Sequence, residues 1–186
     1  MASETGVSRK PFWVRASVKS CSVVTFMRVW VRESEDVASD NCRMFQPSQH
    51  DVRRFFCETR AKQRDGAPLT PMEALAADWI AEHPEYHAEL ADVEAALAAV
   101  YDVEAGRSNP FLHLSMHLSI TEQVGIDQPS GIKQAFELLA AKRGSAHAAQ
   151  HEVMECLGEM IWASQRSGLP PDGQRYIECV RHRATR

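Results

Sequence analysis

From Met44 onward, apolar residues recur every three or four positions, and the breaks between these runs carry helix-capping chemistry. Ser48, with Asp51 three residues later, forms a capping box. Val52, Phe55, Phe56 and Thr59 then make one stripe, which Gly66 can end. Thr70-Pro71-Met72-Glu73 predicts a second start, with Met72, Leu75, Ala76, Trp79 and His83 on one face up to the break imposed by Pro84. A further helix is expected from Pro84, carrying His87, Leu90, Ala91, Leu97, Ala98 and Tyr101 inward. Asn109 and Pro110 open the next, in which His113, Met116, His117, Ile120 and Val124 share a face and Ser115, Ser119 and Glu122 gather opposite. A loop is expected over 125–130. Ile132, Ala135, Phe136 and Leu139 mark another helix, closed by Gly144. Ser145 caps a long helix to about Ser167 with Val153, Met154, Leu157 and Ile161 on its apolar face and Gly158 placed to admit a close neighbour. After Gly168-Leu169-Pro170-Pro171, Asp172 caps a last helix through Tyr176, Ile177 and Val180. The sum is an all-α, single-domain bundle of six or seven helices over residues 44–186.

Residues 1–43 break this pattern. The segment Ser17 to Arg32 is rich in Val, Ser and aromatic residues, and a polar stretch from Glu33 to Asn41 follows it. Because Arg9 to Arg32 is basic and free of acids, a targeting presequence is one reading. A small hairpin is a second, and a non-helical or disordered extension is the third.

Composition narrows the class. At 186 residues, 44% hydrophobic and 25% charged, with a mean hydropathy of −0.35, the chain reads as soluble and globular. No apolar run approaches the roughly 20 residues that span a bilayer, so no membrane partner is expected. The net charge is −4, but residues 1–43 carry 7 basic and 5 acidic side chains, which leaves the remainder at −6 and a poor match to nucleic acid. Five scattered cysteines without a Cys-x-x-Cys pair argue against a disulfide framework and for a reducing cytoplasm. Cys57 and Cys156 fall on or beside apolar faces as core thiols. Trp79 and Trp162 have core spacing, and Arg53, Arg60 and Arg64 align as a solvated charged face.

Several sequence blocks carry a resemblance. Met44-Phe45-Gln46-Pro47-Ser48, Val52 through Thr59, Leu69-Thr70-Pro71-Met72-Glu73-Ala74 and Glu82-His83-Pro84-Glu85-Tyr86-His87 come first. Asn109 through Leu118 and His147 through Met160 continue the series. Together they resemble an uncharacterised bacterial family of small helical proteins of unknown function, from Met44 to about His182. The resemblance implies no activity or cofactor. It does imply that members begin near the position of Met44, so that residues 1–43 are also readable as the product of an upstream start codon.

The chemistry lies in the histidines. Six of eight fall in pairs four residues apart: His83 with His87, His113 with His117, and His147 with His151. Two imidazoles one helical turn apart can reach a single ion, and a second such helix completes a four-nitrogen shell. The expected ligands are His113, His117, His147 and His151. Glu155 is a further candidate one turn on, and His83 or His87 a replacement. Nitrogen donors suit Zn, Fe, Mn, Ni or Cu without distinguishing them.

Other templates fit less well. Carboxylate di-iron bundles need Glu three residues before His, which no histidine here has. His151-Glu152-Val153-Met154-Glu155 puts Glu where a zincin needs its second His, and the inverted motif meets Gln150 where its general base belongs. A haemerythrin-like bundle uses His-x-x-x-Glu and His-x-x-x-His, which His151 with Glu155 and His113 with His117 resemble. Its third spacing, His117 to Glu122, turns about 140° around the helix. Phosphate-binding glycine loops and the Gly-x-Ser-x-Gly elbow are absent. The alternative to a metal site is a non-enzymatic interaction module, with a homodimer as one form of it, in which the histidines only tie helices together through hydrogen bonds.

Overall fold

The computed structural model describes residues 47–101 and 108–186. The expectations for residues 1–43 lie outside these. Among the described residues there are seven α-helices and no strand: α1 (Gln49–Asp65), α2 (Pro71–Glu82), α3 (Val93–Ala98), α4 (Pro110–Ile126), α5 (Ile132–Arg143), α6 (Ala146–Ser167) and α7 (Gly173–Thr185). A 3-10 turn at Pro84–Tyr86 follows α2.

The caps explain most of these boundaries. Ser48 and Thr70 each form a complete capping box, with Asp51 and Glu73 respectively. Asn109 Oδ1 accepts from the amides of Phe111 and Leu112 at the start of α4, and Ser145 and Asp172 cap α6 and α7. Gly66, Gly144 and Gly168 end α1, α5 and α6 in the left-handed conformation, where a side chain would be strained.

Two apolar clusters form around α4. One joins Val52 and Phe56 of α1, Ala76 and Ile80 of α2, Leu90, and Ala96 of α3 to Phe111, Leu114 and Leu118 of α4. The other joins Ile120 of α4 to Ile132 and Leu139 of α5, Val153 and Leu157 of α6, and Tyr176, Ile177 and Val180 of α7. With neighbours on both sides, α4 is buried or half-buried at every position from Pro110 to Val124. Ser115 and Ser119, grouped opposite the histidines, are buried too, and Ser115 Oγ donates to the Phe111 carbonyl 2.5 Å away.

Several expectations are corrected. The stretch after Pro84 is not one helix. After the 3-10 turn and a run of turns, Asp92 caps a new start; Leu90 points inward as expected, but Ala91 and Ala98 are exposed and Ala96 is buried instead. Met72 and Leu75 are exposed, because α2 turns Ala76, Ala77 and Ile80 to the core. Trp162 is 59% exposed, and a Cβ at Gly158 would meet nothing within 4 Å, because no helix among the described residues covers that face of α6.

Cys156 is not a free thiol but is bonded to Cys179, joining α6 to α7. The cysteine pattern therefore no longer speaks for a reducing compartment. Cys57 remains a buried free thiol, with burial pushing it up to about 11. No helix among the described residues is long and apolar enough to cross a membrane.

Arg53 departs furthest from the solvated charged face. It is buried, and its Nη1 donates to the carbonyls of Ala96, Leu97 and Ala99, at 2.9, 3.2 and 2.8 Å. These oxygens end α3 and have no intrahelical donor, so one guanidinium closes the helix and ties it to α1. Replacing Arg53 with Met should lower stability by roughly 2–3 kcal/mol, the cost of a charge-assisted bond to buried acceptors. Urea denaturation measures it, and a change below about 0.5 kcal/mol, the scale of an ordinary surface substitution, would contradict this role.

Candidate metal centre

Five histidines from three parts of the chain meet at the seam between the two apolar clusters. His113 and His117 lie one turn apart on α4, and His147 and His151 one turn apart on α6. The fifth is His83, the residue at which α2 ends before Pro84. Its backbone, at φ −124° and ψ 65°, has left the helix.

The Nε2 atoms converge. His83 and His117 are 2.9 Å apart, His113 and His117 3.0 Å, and His83 and His147 3.2 Å. His151 is 3.2 Å from both His113 and His117. The ligand nitrogens of His83, His117, His147 and His151 all lie within 4.8 Å of one another, a group able to hold a metal ion. Two nitrogens about 2.1 Å from a shared ion stand about 3.0 Å apart at a right angle and about 3.4 Å apart at the tetrahedral angle. The five contacts at 2.9 to 3.2 Å fall in or just below that interval.

Hydrogen bonds behind the rings decide which nitrogens carry protons. Thr121 Oγ1 donates to the His117 carbonyl at 2.9 Å, so its lone pairs are left to accept from Trp79 Nε1 at 2.9 Å and Gln150 Nε2 at 3.0 Å. The Gln150 amide is thereby oriented with Oε1 toward His117 Nδ1, 2.8 Å away. Because Oε1 only accepts, His117 Nδ1 must carry the hydrogen, and its Nε2 presents a lone pair.

His83 Nδ1 donates to Glu85 Oε1 at 2.8 Å, and His147 Nδ1 stands 3.4 Å from Glu82 Oε2. The His117 lone pair is thus directed inward, and neutral His83 and His147 rings with their hydrogen on Nδ1 add two more. Without a proton or a cation between them they repel one another. Carboxylate or amide oxygens behind metal-ligating imidazoles perform this orienting task.

Burial sets the charge state. His83 and His117 are buried, while His113, His147 and His151 are half-buried. Trp79 stacks on His117 with ring centroids 4.2 Å apart, and Tyr86 stacks on His83 at 5.4 Å. Burial, partly opposed by the Gln150 contact and reinforced by the other imidazoles, holds His117 down at about 3. Burial, then His83 and His151, holds His113 down at about 4. His151 is lowered by burial and then by His147 and His83. At neutral pH these three are neutral, the form that binds metal. Glu85 is held below the usual carboxylate range, first by its contact with His83.

Of the residues expected as ligands, His113, His117, His147 and His151 are brought together, and His83, proposed only as a replacement, stands among them. His87 does not. Its Nε2 is 2.9 Å from the Ile80 carbonyl and its Nδ1 3.2 Å from Arg60 Nη2. Pro84 ends the helix between His83 and His87, so their spacing does not put them on a common face. Glu155 is also elsewhere, paired with Arg183 of α7 on the exposed side of α6. Arg60, read as part of a solvated face, serves His87 and Gln63 instead. Gln150, Thr121 and Trp79 were not read from the sequence as parts of the site. The visible signal was only that Gln150 lies inside the His147–His151 turn.

The metal-free protein should lose stability on acidification. An unfolded histidine titrates near 6.5, above the folded values of about 4 for His113 and about 3 for His117. The unfolded chain therefore binds more protons below 6.5, and stability is full above that pH and falls as pH drops toward 4 and then 3. Thermal melts of chelated protein from pH 7.5 to 4 should show a falling midpoint from about pH 6.5 downward. A flat profile would contradict the buried neutral cluster.

A family model described as a domain of unknown function, DUF1841, matches residues 48–182. No curated protein and no solved structure matches the chain.

Proposed function

Because the chain belongs to the DUF1841 family, a domain of unknown function that lends it no activity, we propose from the site alone that it is a transition-metal-binding protein. His83, His117, His147 and His151 are the ligands, with His113 as a fifth. One observation carries the reading. His83 and His117 each have Nδ1 held by an oxygen acceptor, so in the neutral rings that bind metal two Nε2 lone pairs face each other at 2.9 Å.

A purely hydrogen-bonded cluster would need one Nε2 of each contact to carry a hydrogen, and the oxygens behind the rings oppose that. A shared cation relieves all the contacts at once. The donors are imidazoles throughout, which favours Zn, Fe, Mn, Ni or Cu over Mg or Ca, whose shells are built from oxygen. If the site is catalytic, the ion supplies Lewis-acid or redox chemistry. The protein supplies its orientation through Gln150, Glu85 and Glu82.

Elemental analysis of the chain expressed without a histidine tag, before and after mild chelation, should find close to one ion per chain that survives dialysis. His83→Phe should remove that ion. It should leave the metal-free protein within about 1 kcal/mol of its original stability or above it, since the ring volume is kept and one inward lone pair is gone. If the histidines only tie helices together, the same change should instead cost roughly 1–3 kcal/mol with no metal to lose. Full occupancy in the variant would overturn the ligand assignment.

Gln150→Leu isolates the orienting bond. It should weaken metal affinity by roughly 10- to 100-fold while leaving the capacity at saturating metal unchanged. Competition with a chelator of known affinity measures the change, and an unchanged affinity would remove Gln150 from the site.

A further inference from the structure

We propose that the metal centre keeps a coordination position on its half-buried side that takes a small anion; this rests on the metal reading above. The donor set is the first reason. Every ligand is an imidazole, a donor that brings no negative charge to the ion it binds. Glu155 is turned away to Arg183, and Glu82 and Glu85 approach only the Nδ1 side of His147 and His83. A divalent ion held by neutral donors alone keeps its charge undiminished within its own shell. In a partly buried site that charge is costly until an anion meets it directly.

The second reason is access. Trp79 stacks on His117 and Tyr86 on His83, the two buried rings, and they meet His147 and His113 only edge-on, at 5.7 and 5.6 Å; His113, His147 and His151 are half-buried. An exogenous ligand therefore reaches the ion from the side of these three. Their ring centroids are 4.6 Å apart for His147 and His151 and 5.1 Å for His113 and His151. A ligand of a few atoms, such as hydroxide, azide or a small carboxylate, is the class that fits beside rings so closely set.

Glu82 and Glu85 work against anions at a distance. Their side chains are 59% and 56% exposed, however, so solvent and salt screen them. Direct coordination to the ion outweighs that repulsion. Removing it should tighten anion binding.

The test uses the full chain without a histidine tag, stripped of metal and reloaded with cobalt(II), whose visible spectrum reports its coordination. Azide is titrated at constant ionic strength made up with perchlorate. The expected result is a saturable spectral change at one azide per cobalt. Glu82→Gln combined with Glu85→Gln should tighten azide binding by roughly twofold to fivefold, the scale of an exposed charge contact.

One cobalt per chain with a spectrum indifferent to a large excess of azide would overturn this inference and leave the metal reading standing, with the imidazoles closing the shell. Failure to take up cobalt, zinc, iron, nickel or copper would overturn both.

Discussion

The rest of the structure depends on the burial of α4. This helix carries Phe111, Leu114 and Leu118 on one side and Ile120 on another, so no single flat partner can cover it. Helices α1 to α3 pack against the first set and α5 to α7 against the second. A helix with apolar residues on two sides must be covered on both, because its apolar area is worth roughly 25 cal/mol per Å² removed from water. Enclosure from two directions leaves a seam. His113 and His117 project into it.

A seam of that kind is an expensive place for polar groups. An imidazole that loses its hydration must find a partner for each nitrogen. For His117 and His83 one nitrogen is served by an oxygen behind the ring, and the other faces more imidazoles. A structural histidine ends in a carbonyl or a carboxylate, as the half-buried His87 does at the Ile80 carbonyl. In the cluster the Nε2 atoms face one another instead, and any two lone pairs that meet there need a proton or a cation between them.

The pathway from Trp79 through Thr121 and Gln150 to His117 shows how tertiary packing fixes a protonation state. Thr121 spends its only hydrogen on the helix backbone, which leaves it an acceptor for two donors. Gln150 then has one orientation, and His117 one tautomer. Each link is an elementary donor–acceptor constraint. None is visible until α2, α4 and α6 have come together.

The sequence by itself determined the helices and most of their ends, since caps and glycine stops are local chemistry. Ser48, Thr70, Asn109, Ser145 and Asp172 all cap where their side chains predict. The sequence also determined that His113 with His117, and His147 with His151, share a helix face, because that follows from 3.6 residues per turn.

Tertiary structure alone decided the rest. It brought His83 into the group and left His87 out, because Pro84 breaks the periodicity that would relate them. It turned Glu155 to Arg183, which arrives on another helix. It buried Arg53 against the end of α3, exposed Trp162, and joined Cys156 to Cys179. Each of these depends on a partner distant in sequence, and a periodicity says which side a residue faces but not what stands there.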